Sequence, residues 1–343
     1  MKYKNVRLHS YDYILPETFL SSEQIEVELN ELYERIKLPH GRLELMTGIK
    51  TRGLWPNGTR PSDLSSAVAK KVIAKSEITK EDIGLLIHAS VCRDFLEPST
   101  ASVVHANLEL SEDAMIYDLS NACLGVVNAM VTAANMIELG QIKAALIVSG
   151  ENGGPLLTQT LEHLKSDETI TRKSIKKYIA NLTIGSASVA YLLTHKDLSP
   201  NGHKLLGGAV CTDSSANTLC QGDGDTTSLM METDSEELLK HGLILAKKNW
   251  NKTKDSLGWT NADVDWVIGH QVGTAHEKLT MEAMELSDHR TYTTYETLGN
   301  TGSAALPVTL AKLSETDQIE TGQKVALLGI GSGLTSIMLG VEW

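Results

Sequence analysis

The stretch Ile137-Glu-Leu-Gly-Gln-Ile-Lys-Ala-Ala-Leu-Ile-Val-Ser-Gly150 returns, one residue shorter, as Ile319-Glu-Thr-Gly-Gln-Lys-Val-Ala-Leu-Leu-Gly-Ile-Gly331. Gly140 and Gly322 stand 182 positions apart, and after the deletion Ala145 and Ala326 stand 181 apart. A second pair keeps that distance. Thr79-Lys-Glu-Asp-Ile83 leads into GLLIHAS, and 181 positions on, Thr260-Asn-Ala-Asp-Val264 leads into DWVIGHQ. Two matched segments in one order and at one spacing point to two copies of one α/β unit.

Outward from these segments lie short apolar runs: Gly84 to Ser90, Ala144 to Ser149, Ser186 to Leu193, Trp266 to Gly269 and Val325 to Ile330. Continuous runs of this length suit strands covered on both faces. Helical patterns fall between them, at Cys123 to Leu139, Ser235 to Trp250 and Ala304 to Leu313. Strands alternating with helices predict an α/β fold with a largely parallel sheet. The expected division is an N-terminal half over residues 1–200 and a C-terminal half over 201–343. The polar segment from about Gly153 to Tyr178 has no counterpart in the second half and reads as an insertion, a cap or interface element. Asn217 to Thr227, rich in Gly, Asp and Thr, reads as a surface loop.

With 343 residues, 41% of them apolar, the chain can bury a large core. Its net charge of −12 argues against bulk nucleic-acid binding, which needs a basic face. MKYKNVRLHSYDYILPE contains no apolar signal-peptide core, and no run of apolar residues is long enough to span a bilayer. A cytoplasmic protein is expected. The four cysteines, Cys92, Cys123, Cys211 and Cys220, show no C-x-x-C spacing, so neither a zinc site nor a redox pair is expected. No other metal and no resident cofactor is expected either.

Cys123 sits in Asp118-Leu-Ser-Asn-Ala-Cys-Leu-Gly125, after a strand-like run and at the start of a long helical pattern. The positive end of a helix dipole lowers a thiol pKa, so a nucleophilic thiolate is expected; a buried structural cysteine fits the same context. A thiolate needs a base or an electrostatic partner. His270 ends the Trp266 to Gly269 run, and Asn300 precedes the helical pattern that matches the one begun by Cys123. Strand ends and the helix starts that follow them gather at one edge of such a sheet, so the three residues can converge. A loop histidine and a capping asparagine are the ordinary alternatives. Gly331, Ser332 and Gly333 follow a strand, and backbone N–H groups there can form an oxyanion hole; plain turn chemistry is the alternative. The spacing does not suit a phosphate loop.

Asn121-Ala-Cys-Leu-Gly125, Gly269-His-Gln271, Gly299-Asn-Thr-Gly-Ser-Ala304 and Gly329-Ile-Gly-Ser-Gly-Leu334, preceded by Thr47-Gly-Ile-Lys-Thr-Arg52, resemble the ketoacyl synthase III group of the thiolase superfamily. The resemblance covers nearly the whole chain. It implies the thiolase fold, a five-layered α-β-α-β-α arrangement made of two duplicated βαβαβ-type halves. It also implies that Cys123 carries an acyl group and that His270 and Asn300 bind the thioester oxygen during condensation. Ser90-Val-Cys-Arg-Asp-Phe-Leu-Glu-Pro-Ser-Thr-Ala-Ser102, with the closing Val341-Glu-Trp343, is similar to a narrower group, the OleA family, whose members join two fatty acyl-CoA molecules head to head. In that family a glutamate 26 residues before the cysteine crosses a homodimer interface and removes the α-proton of the second acyl-CoA. Glu97 has that spacing from Cys123.

A malonyl donor makes its carbanion by losing CO₂, whereas a simple acyl-CoA needs a base. A carboxylate whose pKa is raised by an apolar channel can serve. Arg42-Leu-Glu-Leu-Met46 lacks the Trp and Arg that initiating synthases carry before their T-G-I motif, so adenine stacking of that kind is not expected. The Gly329 to Leu334 segment lacks a second cysteine, which argues against degradative thiolase chemistry. His276 reads as structural. The expected reaction is non-decarboxylative Claisen condensation of two acyl-CoA thioesters to a 2-alkyl-3-keto acid or thioester. The rivals are a decarboxylative synthase using malonyl-acyl carrier protein, a pyrone-forming ketosynthase, and a non-catalytic acyl-binding or heterodimer partner.

Overall fold

The computed structural model describes residues 1–222 and 230–343. Ten strands form one sheet. Their order is Arg290–Thr291, Trp266–Gly269, Lys324–Gly331, Thr335–Glu342, His203–Thr212, Val6–Ile14, Ala187–His195, Ala144–Glu151, Ile83–Ala89 and Met115–Leu119. From either end the pairing runs parallel, parallel, antiparallel, antiparallel. Among the described residues the two sets of five strands pair at Arg7–Lys204 and Leu8–His203, with a further bridge from Lys2 to Gly207. One five-strand pattern is therefore built twice, from residues 6–195 and again from 203–342.

Each copy is larger than the βαβαβ unit expected. Two antiparallel strands are added on its inner side, including Val6–Ile14 in one copy, and His203–Thr212 and Thr335–Glu342 in the other, none of which the apolar runs predicted. Val6–Ile14 alternates buried and half-buried positions, so it carries no continuous apolar run. His203–Thr212 is interrupted by Gly207 and Gly208.

Side-chain alternation along the strands separates the layers. Leu85, Ile87, Ala145 and Ile147 face a central core that also holds Val325 and Leu327 from the other copy. That core is filled by the helices Gly125–Glu138 and Ala305–Ser314. The intervening Leu86, Leu146 and Val148 face outward onto the helices Pro61–Lys75 and Thr100–Leu108. Ala326 and Leu328 face outward onto Ser235–Leu257 and Thr274–Ala283. The result is helix, sheet, helix, sheet, helix, in which the central helix pair lies between the two sheets and each of its N-termini points to a strand edge.

Leu157, Leu161, Leu164, Ile175 and Tyr178, within the segment read as an insertion, pack with Ile25, Leu29, Leu32 and Tyr33 in a separate cluster. The matching connection in the other copy is a hairpin of three residues, 332–334. Of the stretch read as a surface loop, Cys220–Gly222 instead forms a short strand paired with Met231–Thr233. Asp223 to Thr227 lie outside the described residues.

Candidate active site

Cys123 lies between the strand Met115–Leu119 and the helix Gly125–Glu138. Ala122, just before it, adopts a φ of 45°, which L-residues other than Asn and Asp seldom take. This turns the chain sharply and presents Cys123 at the helix start. The helix is short of side-chain capping there, since Leu124 at the N-cap makes no side-chain cap bond.

Contacts around Leu124 and Gly125 join the other elements to the cysteine. A Cβ on Gly331 would stand 3.1 Å from Leu124 Cγ, so this strand passes close beneath the residue after Cys123 and a larger residue would push Leu124 aside. The Gly331, Ser332, Gly333 stretch is the end of a strand and the tip of an antiparallel hairpin, pinned by mutual backbone bonds between Leu334 and Asp213 at 2.9 and 3.0 Å. His270 follows the strand Trp266–Gly269 and its backbone N–H donates to Leu328 O at 3.1 Å, one residue from Gly329, which touches Leu124. On the opposite side, Gly125 rests against the side chain of Ser303, three residues after Asn300.

Asn300 is held rigidly. Its N–H donates to Thr183 O and its carbonyl accepts from Gly185 N–H, both at 2.9 Å. Its side-chain Oδ1 accepts from Gly302 N–H at 3.1 Å. That bond assigns the carbonyl end of the amide inward and leaves the NH₂ end as donor. Beneath the loop lies Arg52 of the Thr47 to Arg52 motif, fully buried, its guanidinium donating to Leu20 O and Ser22 Oγ. Burial pushes that guanidinium down to about 10.

Cys123, His270, Asn300 and the Gly331–Gly333 hairpin thus share one edge of the sheet. Glu97 does not join them within the chain. It is exposed on the loop before the helix Thr100–Leu108, which also exposes Leu96 and Val91, and its carboxylate makes no hydrogen bond or ion pair among the described residues.

The electrostatics differ from the thiolate expected at a helix N-terminus. Burial first, then the carboxylate of Glu151 and the thiol of Cys220, push the Cys123 thiol up to about 12. Withdrawal from water and a nearby negative charge both oppose a second negative charge, against the pull of the helix dipole. Burial, then neighbouring His276, pushes His270 down to about 3. Both groups therefore rest uncharged, a thiol on Cys123 and a neutral imidazole on His270.

Three features were invisible in the sequence reading. Gln271 accepts from Thr294 N and Tyr295 N at 2.7 and 3.2 Å and donates to Gly269 O at 2.8 Å, tying the His270 turn to the segment that leads to Asn300. His276 shares a narrow cavity with His270, Glu277 and Tyr295, which Cys123 does not line. Glu151 is buried beside the nucleophile. The glycine–histidine–glutamine motif was the only signal for the first; the other two depend on contacts between distant segments. Among the described residues no group of three or more His, Cys, Asp or Glu is placed to hold a metal ion, and no helix is long and apolar enough to cross a membrane.

Residues 45–195 match the thiolase N-terminal domain family, and residues 255–343 match the 3-oxoacyl-(acyl-carrier-protein) synthase III C-terminal family. The acyl-CoA:acyl-CoA alkyltransferase of Shewanella oneidensis is 38% identical, with 100% of both chains covered. The beta-ketoacyl-(acyl-carrier-protein) synthase III of Clostridium tetani is 26% identical over the same span. OleA from Xanthomonas campestris superposes with a TM-score of 0.95 at 34% identity, covering 100% of this chain and 98% of that one. Solved forms of that OleA include variants at a cysteine, a glutamate and a histidine, and a cysteine-to-serine form with bound lauric acid and lauroyl-CoA. Its substituted glutamate and cysteine are 26 positions apart, the separation of Glu97 and Cys123 here. Duplicated fold, shared edge and full-length likeness agree: the chain belongs to the acyl-CoA:acyl-CoA alkyltransferase (OleA) family of thiolase-fold condensing enzymes.

Proposed function

We propose that the protein condenses two fatty acyl-CoA molecules, with Cys123 as the acyl carrier and Glu97 of a second copy as the base. The thiol of Cys123 attacks the first thioester; its proton leaves with the CoA thiolate, and the acyl group stays on sulfur. Backbone N–H groups of Cys123 and the Gly331–Ser332–Gly333 hairpin hold the oxyanion of that step in this reading. Glu97 then removes the α-proton of the second acyl-CoA. Neutral His270 and the NH₂ of Asn300 donate to its thioester oxygen, where the enolate charge develops. The carbanion attacks acyl-Cys123, the C–S bond breaks, and the 2-alkyl-3-ketoacyl-CoA departs, leaving a Cys123 thiolate that is reprotonated by the proton Glu97 took, which restores both groups. Hydrolysis gives the β-keto acid.

The observation that carries this reading is Glu97 itself, an exposed carboxylate on a loop that also exposes Leu96 and Val91, at the spacing from the cysteine that OleA shows. An exposed carboxylate is a poor carbon base. A homodimer partner that covers Leu96 and Val91 would remove water from it and strengthen it. A malonyl-dependent synthase, the reading favoured by the C-terminal family match, needs no such group.

Complementation tests this. Cys123→Ala supplies Glu97 without a nucleophile, and Glu97→Ala supplies a nucleophile without the base. Each alone should condense nothing, while Glu97→Ala still forms the acyl adduct. Unfolding and refolding the two together should restore about a quarter of wild-type condensation, since half the dimers are mixed and each has one complete site. No recovery, or full condensation by Glu97→Ala alone, would remove the base assignment.

A further inference from the structure

Glu151 ends the strand Ala144–Glu151 and is 3% exposed, with no cation in salt-bridge range among the described residues. Its Oε1 accepts from Val91 N and Ser303 N, each at 3.0 Å, and from Ser303 Oγ at 2.6 Å. Its Oε2 accepts from Cys92 N at 3.3 Å. Val91 and Cys92 open the loop that carries Glu97, and Ser303 closes the loop that carries Asn300. Ser303 also touches Gly125 at the start of the nucleophile helix. One carboxylate therefore holds segments that are 60 and 152 residues away from it in sequence.

We propose that Glu151 is a positioning residue that locks the base-bearing loop and the Asn300 loop into one frame beside Cys123. The inference rests on the functional reading above and adds a residue to it. A buried carboxylate without a cation is costly, and four donors from two loops are what make it tolerable. Removing it leaves one backbone N–H of each loop, Val91 and Ser303, without an acceptor and Cys92 N–H with Ser90 Oγ alone, so both loops relax away from the shared frame. The same charge faces His88, Cys92 and Cys123, and Cys220 is the other titratable group facing Cys123. Its charge therefore also opposes ionisation of Cys123.

Full-length wild type, Glu151→Ala and Glu151→Gln are compared with lauroyl-CoA as the probe. Acyl adduct formation is followed by intact mass, condensation by product, and Cys123 reactivity by iodoacetamide labelling against pH. Glu151→Ala should lower condensation relative to acylation by about 100-fold, the effect expected when reacting groups shift by about 1 Å. Glu151→Gln keeps a carbonyl acceptor and loses one bond, so it should recover to within about tenfold of wild type. Its Cys123 labelling should move to lower pH, because the opposing charge is gone. If Glu151→Ala does not fold, Glu151→Gln carries the test through its own ratio of condensation to acylation, which should fall by up to about tenfold. Equal loss of both steps, or no loss of condensation in either variant, overturns the proposal. A wild type that forms no adduct overturns the functional reading and this one with it; a wild-type adduct with unaltered variants overturns this one alone.

Discussion

Replacing Gly299 with alanine probes the loop that aims Asn300. Gly299 has φ 71° and ψ −165°, a region essentially reserved for glycine. A Cβ there would lie 2.6 Å from Thr183 O and 3.0 Å from Arg52 Cβ. The backbone conformation costs about 1–3 kcal/mol. The close contacts add about 1–3 kcal/mol, because buried Arg52 and the Thr183 carbonyl, already bonded to Asn300 N–H, have little room to retreat. Over 343 residues an unfolding entropy of about 2.1 cal/mol/K per residue turns 2–6 kcal/mol into a fall in Tm of about 3–8 °C. Asn300 is the next residue, so condensation should fall by about 100-fold while Cys123, on another element, still acylates. The control is Gly58→Ala: φ is 82°, but nothing lies within 4 Å of its Cβ position, so it should cost about 1 kcal/mol and leave activity alone. Calorimetry at fixed protein concentration, with acylation and condensation followed separately, makes the comparison. A Gly299→Ala protein that melts within about 1 °C of wild type and condenses at full rate would refute the reasoning.

Two further outcomes follow from the titrating groups. Cys123, pushed up to about 12, should react slowly with iodoacetamide at pH 7 and faster throughout the alkaline range, whereas the urea-unfolded chain should label with an ordinary thiol profile; fast labelling of the native thiol at pH 7 would contradict the uncharged resting pair. His270, pushed down to about 3, and His276, down to about 4, bind protons more readily when unfolded, where the ordinary value is 6.5. Their contribution to stability is complete above that value and is lost as pH falls through the window toward the folded values, so the urea midpoint should drop between pH 7 and pH 5; a midpoint that holds or rises would count against it.

What the sequence disclosed follows from burial on two faces. The runs at 84–90, 144–149, 186–193, 266–269 and 325–330 all fall on strands of the sheet, because strands covered by helices on both sides must be apolar throughout. Val6–Ile14 was hidden by its alternating pattern and His203–Thr212 by its paired glycines. The duplication was legible since matching strands occupy matching places at the two ends of one sheet. Cys123, His270 and Asn300 could be placed at one edge from topology alone. The charge state of Cys123 could not: the helix start is a local signal, whereas Glu151 reaches the site only through tertiary contacts with Val91 and Ser303. Glu97 was singled out by its motif, and its exposure beside Leu96 becomes meaningful only once a second copy is considered.

The most direct measurement mixes wild-type protein with a single fatty acyl-CoA and no malonyl donor, then follows intact mass and product together. A covalent acyl group located on Cys123, chased into a 2-alkyl-3-keto acid by more of the same acyl-CoA, is the predicted result. An enzyme that stays unmodified, or whose adduct advances only when a malonyl thioester is added with release of CO₂, would contradict the account.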